Sequence, residues 1–383
     1  MYGRKEVGMR IAVDACTLYR PLTGVGRYTY ELCRELSRYP DTELLFGCGW
    51  RWQKDFPKPL SHGSRRRIEA IRTKIPGGQA LIYRMKALAY QALSVRHQPD
   101  IVFAPGFLIP PVPAPTVITV HDLSHLRYPE THPESRSRLF RRHLARSIQR
   151  ATKILTISRF SAAEIASEFP GAQDRLTIIP PGIGDAFSPI GEEKAPPPLL
   201  GDDKRSYFLF LATLEPRKNL LQLLKAYEHL PLRIRRDHCI VVAGEFGWKM
   251  GPAMGALERM VREGSVKLTG YVPDVALPAL YRGATAFVYP SLYEGFGLPP
   301  LEAMACGCVA VASNAGAIME ACQDAALYVD PLDTENITAA MTRIVEDASL
   351  RAVLKERGLE RARAFRWDQS GRELRAVFQQ VAN

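Results

Sequence analysis

The sequence lacks any run of roughly 18 apolar residues, so nothing in it reads as a membrane-spanning helix. It also lacks a C-x-x-C pair, and its seven cysteines are scattered and odd in number. That pattern argues against a disulfide framework and for a reducing cytoplasmic setting. Residues 1–10 have no apolar core of the kind a secretion signal requires, and they read as a leader before a first strand. Short repeats and low-complexity runs are missing too. What remains is a 383-residue chain, 46% hydrophobic and 24% charged. Those proportions are ordinary for a folded protein, and at about 100–200 residues per domain the length suggests two domains.

Charge is unevenly placed. Residues 1–185 carry 28 Lys and Arg against 16 Asp and Glu, a balance of +12; the remainder carries 23 against 24, or −1. Such an excess implies an acidic partner for the first half: nucleic acid, an anionic membrane surface or a phosphorylated acceptor. Two clusters hold most of it. Arg65, Arg66, Arg67, Arg72, Lys74, Arg84 and Lys86 surround apolar Ile68, Ile71, Ile75, Leu81, Ile82, Met85 and Leu88, a pattern suited to lying on an anionic membrane. Arg136, Arg138, Arg141, Arg142, Arg146 and Arg150 fall on a second predicted helix. A solvated, arginine-rich face is the plainer explanation for either cluster alone. No nucleic-acid motif is present and the aromatics do not interleave with the basic clusters, so nucleic acid is the weakest of the three partners.

Met9–Asp14 reads as a buried strand, followed by a glycine turn over residues 23–28 and a helix to about Tyr39. Val25, Tyr28, Leu32, Leu36 and Tyr39 give that helix its apolar stripe. Further strands are predicted near residues 100–103, 116–120, 153–157 and 176–179, with helices between them. Residues 188–205, rich in proline, read as a linker. Alternation restarts at 207–211 and continues at 239–243, 266–269, 286–289 and 309–312, and residues 367–383 read as an amphipathic helix. The expected architecture is α/β: two doubly wound, Rossmann-like domains, over 1–187 and 206–366, with the last helix packing back on the first. Ligands then bind in the crevice between the strand carboxyl ends.

The segment Glu294-Gly-Phe-Gly-Leu-Pro-Pro-Leu-Glu302 follows a predicted strand. Gly295 and Gly297 permit a tight turn, and Pro299 and Pro300 suit the first turn of a helix whose free N–H groups attract phosphate. Glu294 and Glu302 both fall within reach of one ligand, Glu294 on a sugar and Glu302 on a ribose. Two glutamates at this spacing alone would equally mark a capped helix with a solvated Glu302; the glycines and prolines favour the site. In Leu214-Glu-Pro-Arg-Lys-Asn219, adjacent Arg217 and Lys218 suit a leaving diphosphate, although a basic surface turn has the same composition. Gly24 and Gly26 mark the first strand-to-helix turn. His121 lies at a strand's carboxyl end, where a single histidine is more often structural. His121, Asp122, His125 and His132 also compose a possible metal set, but their spacing matches no standard closed site.

Taken together, residues 281–313 resemble the retaining glycosyltransferases of family 4, the group 1 glycosyltransferases of GT-B fold, and the resemblance extends over nearly the whole chain. It is carried by the E-x7-E spacing of Glu294 and Glu302, by Tyr281-Arg-Gly-Ala before it and by Gly307-Cys-Val-Ala after it. It implies that Arg217 and Lys218 hold the donor diphosphate. Where many members place Gly-Arg or Gly-Thr after the strand this chain has Ala212-Thr213, so an arginine there is absent and Arg217 is expected to substitute. It implies that Gly24, Gly26, Gly295, Phe296, Gly297 and Leu298 approach the donor, that Tyr271 and Val272 carry the base, and that His121 touches the donor sugar near the reacting carbon. Arg27 and Tyr28 fall on the acceptor side of the glycine turn. No D-x-D triplet is present, which agrees with a mechanism needing no metal and no cofactor beyond the nucleotide-sugar substrate.

The combination Gly-Val-Gly-Arg-Tyr, Glu-Pro-Arg-Lys-Asn and Glu-Gly-Phe-Gly-Leu-Pro is similar to mannosyltransferases of bacterial surface-polysaccharide assembly. It implies GDP-mannose as donor, a lipid-linked or polysaccharide acceptor, and a cytoplasmic location peripheral to the inner membrane face. Two rivals stand beside this reading: a UDP-sugar epimerase of the same architecture, and a basic nucleic-acid-binding protein.

Overall fold

A computed structural model describes residues 8–19, 24–48, 52–57, 78–109, 112–191, 200–201 and 203–382. Arg65, Arg66, Arg67, Arg72 and Lys74 of the first basic cluster lie outside the described residues, as does most of the linker.

Two parallel sheets organise the chain. The first runs β3-β2-β1-β4-β5-β6-β7, with β1 Met9–Asp14, β2 Thr42–Gly47, β3 Trp52–Gln53, β4 Ile101–Ala104, β5 Thr116–Thr119, β6 Lys153–Thr156 and β7 Leu176–Ile178. Among the described residues only the β2–β3 pair is antiparallel. The second runs β10-β9-β8-β11-β12-β13, with β8 Ser206–Leu211, β9 His238–Ala243, β10 Val266–Gly270, β11 Ala286–Tyr289, β12 Ala310–Ser313 and β13 Ala326–Val329. Helices cover both faces, so the strands are continuously apolar; Tyr207, Phe208, Leu209 and Phe210 of β8 are all buried. In each sheet the order reverses beside the first strand of its domain, β1 or β8. This is the switch point at which such folds open a crevice.

The first helix, Gly24–Leu36, includes both glycines of the expected turn. It ends three residues short of Tyr39 because Tyr39 precedes Pro40, and a residue before proline avoids helical backbone. The helix Trp367–Ala382 packs on this first helix, with Phe378 edge-on to Phe103 at 5.3 Å and Arg375 bound to Asp41 at 2.6 Å. Ile183 forms a parallel bridge with Arg366, and its N–H donates to the Phe365 carbonyl at 3.0 Å. The chain thus crosses between the domains at two adjacent places.

Candidate active site

Glu294 sits in the turn between β11 and the helix Leu298–Ala305. Its Oε1 accepts from Lys218 Nζ (2.5 Å), Tyr289 OH (2.7 Å) and Ser291 Oγ (2.5 Å), and its Oε2 from Arg217 at 3.1 Å. Burial opposes ionisation of this carboxyl, but Lys218, then Arg217, outweigh burial and hold it at about 2. Glu294 is therefore a carboxylate throughout the neutral range: it accepts hydrogen bonds and has no proton to give.

The two cations come from the turn after β8. Arg217 is buried, donating to Glu215 at 2.6 Å and to the Tyr293 carbonyl at 2.6 Å. Its Nε–H is buried with no partner among the described residues. Burial first, and then Arg217, pull the Lys218 ammonium below its ordinary value, while Glu294 resists. Asp122 faces Arg217 from the other domain. Burial raises its carboxyl, but Arg217 and the Ser124 hydrogen bonds bring it below the usual range. The carboxylates of Glu215, Glu294 and Asp122 thus compensate the cations before any ligand arrives. Glu215, Tyr289 and Ser291 carry no motif in the sequence; their only signal is position, at the ends of strands feeding the crevice.

Gly295 brings the two domains into contact. A Cβ there would lie 2.3 Å from the His121 carbonyl oxygen, so only glycine permits the approach. The Gly295 carbonyl accepts from Ser158 Oγ (2.7 Å) and Ser161 Oγ (3.1 Å). His121 points its Nε2 at the Pro105 carbonyl, 2.9 Å away. A carbonyl only accepts, so Nε2 carries the proton and Nδ1 is the ring's acceptor. Burial keeps the ring below its ordinary pKa and neutral. Tyr28 lies edge-on to it at 5.1 Å, its hydroxyl spent on the Ile179 carbonyl, so Tyr28 is a buried support for His121.

Gly297 adopts φ 123° and precedes Leu298, Pro299 and Pro300 at the start of the helix. The two prolines carry no N–H, so within this turn Leu298 supplies the N–H, with those of Phe296 and Gly297 just ahead of it. Phe296 is buried edge-on to Phe365. Val272 is buried and Tyr271 is 42% exposed, at the end of β10. Glu302, 5% exposed, accepts from Arg27 at 2.7 Å on Oε1 and from Tyr281 OH at 3.3 Å on Oε2. Arg27 also reaches Asp274 at 2.5 Å. This places Arg27 beside Glu302 and Asp274.

The histidine set does not converge. His125 stacks on His132 at 3.8 Å while His121 is turned to Pro105, and among the described residues no three His, Cys, Asp or Glu gather to hold a metal ion.

Two facing parallel-sheet domains, with a glycine turn, a buried cation pair and a fixed carboxylate at their junction, define a glycosyltransferase of GT-B fold. The family described as glycosyltransferase family 4 matches residues 22–187, and that described as glycosyl transferases group 1 matches residues 192–361. The chain is 36% identical over 374 residues to the O-antigen chain mannosyltransferase B of Escherichia coli, covering 94% of this chain and 97% of that one. The chain belongs to this family, and it is a hexosyltransferase. In fold it is similar to the sucrose-phosphate synthase of Thermosynechococcus elongatus (TM-score 0.74, 18% identity, 97% and 99% of the two chains). It is also similar to Anabaena Alr3699/HepE, solved in complex with UDP-glucose (TM-score 0.69, 17% identity, 97% and 100%). Relatives with transferase names favour transfer over epimerisation and over nucleic-acid binding.

Proposed function

We propose that this enzyme transfers mannose from GDP-mannose, with retention at the anomeric carbon, onto a lipid-linked or growing polysaccharide acceptor. The observation that carries the reading is Glu294, fixed as a carboxylate between Lys218, Arg217, Tyr289 and Ser291 and abutting the His121 loop. A carboxylate so placed accepts from sugar hydroxyls and orients the ring. Arg217 and Lys218 then neutralise the diphosphate as the C1–O bond breaks. The acceptor oxygen bonds to C1 on the face the diphosphate leaves, and its proton passes to a diphosphate oxygen. On this route no metal, cofactor or dedicated enzymic base is required. His121 Nδ1 accepts from a sugar hydroxyl, and Tyr271 and Val272 face the base. Mannose is supported by the name of the E. coli relative.

Thermal stabilisation of the full chain by GDP, UDP, ADP and their sugars tests the donor, because a bound ligand raises stability with the logarithm of saturation. GDP and GDP-mannose are expected to give the largest shifts; a larger shift with UDP would reassign the donor, and no shift with any would end the proposal.

The acceptor side is proposed to meet an anionic membrane. No helix among the described residues is long and apolar enough to cross one. The helix Gly78–His97, however, exposes Met85, Leu88 and Val95, and follows the basic residues 65–74 in the sequence. Arg138, Arg141, Arg142, Arg146 and Arg150 form the exposed face of the helix Glu134–Arg150. Flotation with vesicles of anionic and neutral lipid checks this. No preference for anionic lipid, with unchanged activity after neutralising Arg65–Arg67, would remove the membrane from the reading.

A further inference from the structure

Arg27 stands on the first helix of the first domain, yet both ends of its guanidinium are spent on the second. One nitrogen donates to Glu302 Oε1 at 2.7 Å and another to Asp274 Oδ1 at 2.5 Å, across 275 and 247 residues of sequence. The group lies 5.8 Å from the Phe187 ring and is largely buried. Glu302 is more deeply buried still, and among the described residues its Oε2 has only the long contact to Tyr281 OH, leaving lone pairs for further donors. A vicinal diol needs an ionised carboxylate with both oxygens oriented. A protonated acid loses half that accepting capacity.

We infer that Arg27 is a positioning residue for the donor nucleotide: it crosses the domain boundary to hold and orient Glu302 toward the donor ribose, so the nucleotide pocket is complete only when the first domain is docked. The inference rests on the reading of Glu302 as a ribose acceptor. The groups facing the Glu302 carboxyl are Arg27 from the first helix, Asp274 from the segment after β10, Tyr281 from the helix Leu277–Arg282, and Cys306 beyond its own helix. Glu31 faces Arg27 one turn along. Burial pushes the Glu302 carboxyl up to about 7, with Arg27 the one cation opposing it and Asp274 adding to the rise. Tyr281 and Cys306 are both held neutral by burial. Without Arg27, Glu302 protonates at higher pH, and its affinity for a diol declines where the native enzyme still binds.

Calorimetric titration of GDP into the full chain, from about pH 6 to about pH 9, tests this on the native protein, Arg27→Gln, Arg27→Lys and Glu302→Gln. Arg27→Gln is expected to weaken GDP about tenfold at neutral pH, the size of one charge-assisted hydrogen bond, with the loss shrinking as pH rises. Arg27→Lys is expected to move the acid limb less, and the acceptor KM is expected to hold in both. Native GDP affinity in both variants, a weakening equal at every pH, or a change confined to the acceptor KM would overturn the inference. If Arg27→Gln does not fold, an unmoved acid limb in Arg27→Lys overturns it. Glu302→Gln separates the two levels. Unchanged GDP affinity there defeats the ribose reading itself, whereas weakened Glu302→Gln beside an unaffected Arg27→Gln defeats only the role of Arg27.

Discussion

Glu294 and Glu302 flank the same turn, the first with a side chain 11% exposed and the second buried, yet they titrate on opposite sides of the ordinary carboxylate value, at about 2 and about 7. The difference lies in where their cations come from. Glu294 takes Lys218 and Arg217 from its own domain, along with two hydroxyls. Glu302 takes one arginine, and that arginine belongs to the other domain. Burial penalises both charges alike; compensation decides which survives. One carboxylate is therefore a fixed property of its fold, and the other is conditional on how the two folds meet.

The sharpest way to break this comparison is Glu294→Gln. It removes the charge between two buried cations and is expected to lower kcat by roughly 100- to 1,000-fold while the melting temperature shows a folded protein. Full activity would take Glu294 out of the site. Gly295→Ala attacks the meeting of the domains, since its Cβ would fall 2.3 Å from the His121 carbonyl oxygen. Each domain keeps its core, so circular dichroism is expected to be native while turnover falls by about 10- to 100-fold and small-angle scattering reports a wider particle. Native turnover and shape would show that the contact yields.

The pH dependence sharpens the comparison without a mutation. Glu302 is deprotonated above about 7, so nucleotide affinity is expected to fall as pH drops through that value. Glu294, at about 2, stays ionised across the same window and contributes no limb. In Glu302→Gln the limb is expected to vanish; its persistence would assign it to another group. The smallest effect is expected from Arg141→Gln with Arg142→Gln. These side chains lie on the exposed face away from both carboxylates, and should leave kcat with a soluble acceptor unchanged while weakening anionic-vesicle binding by about 1 kcal/mol per arginine.

Much of this was legible in the residues. Strands such as Ala286–Tyr289 and Cys239–Ala243 are short, wholly apolar runs bounded by turn residues, the signature of a sheet buried on both faces. Thr42–Gly47 and Ala326–Val329 escaped notice because the first opens on Thr-Glu and the second, four residues long, lies close behind helical sequence. Arg217, Lys218 and Glu294 stood out because their types carry chemistry, and the fold draws them into one cluster. The pairing of Arg27 with Glu302 had no local signal, since nothing in either segment says which side of a crevice the other will occupy. The prolines of the Leu298 turn suit a helix start, and the same covalent fact means that they subtract donors.

The double crossing of the chain has a mechanical consequence. Two bodies joined by one thread tumble freely, but two neighbouring threads, here stitched together where Ile183 bridges Arg366, act as the pins of a door. Such a joint restricts how the two bodies can turn against each other more than a single thread would. Arg27, carried on the helix against which Trp367–Ala382 packs, is held against Glu302 across that joint.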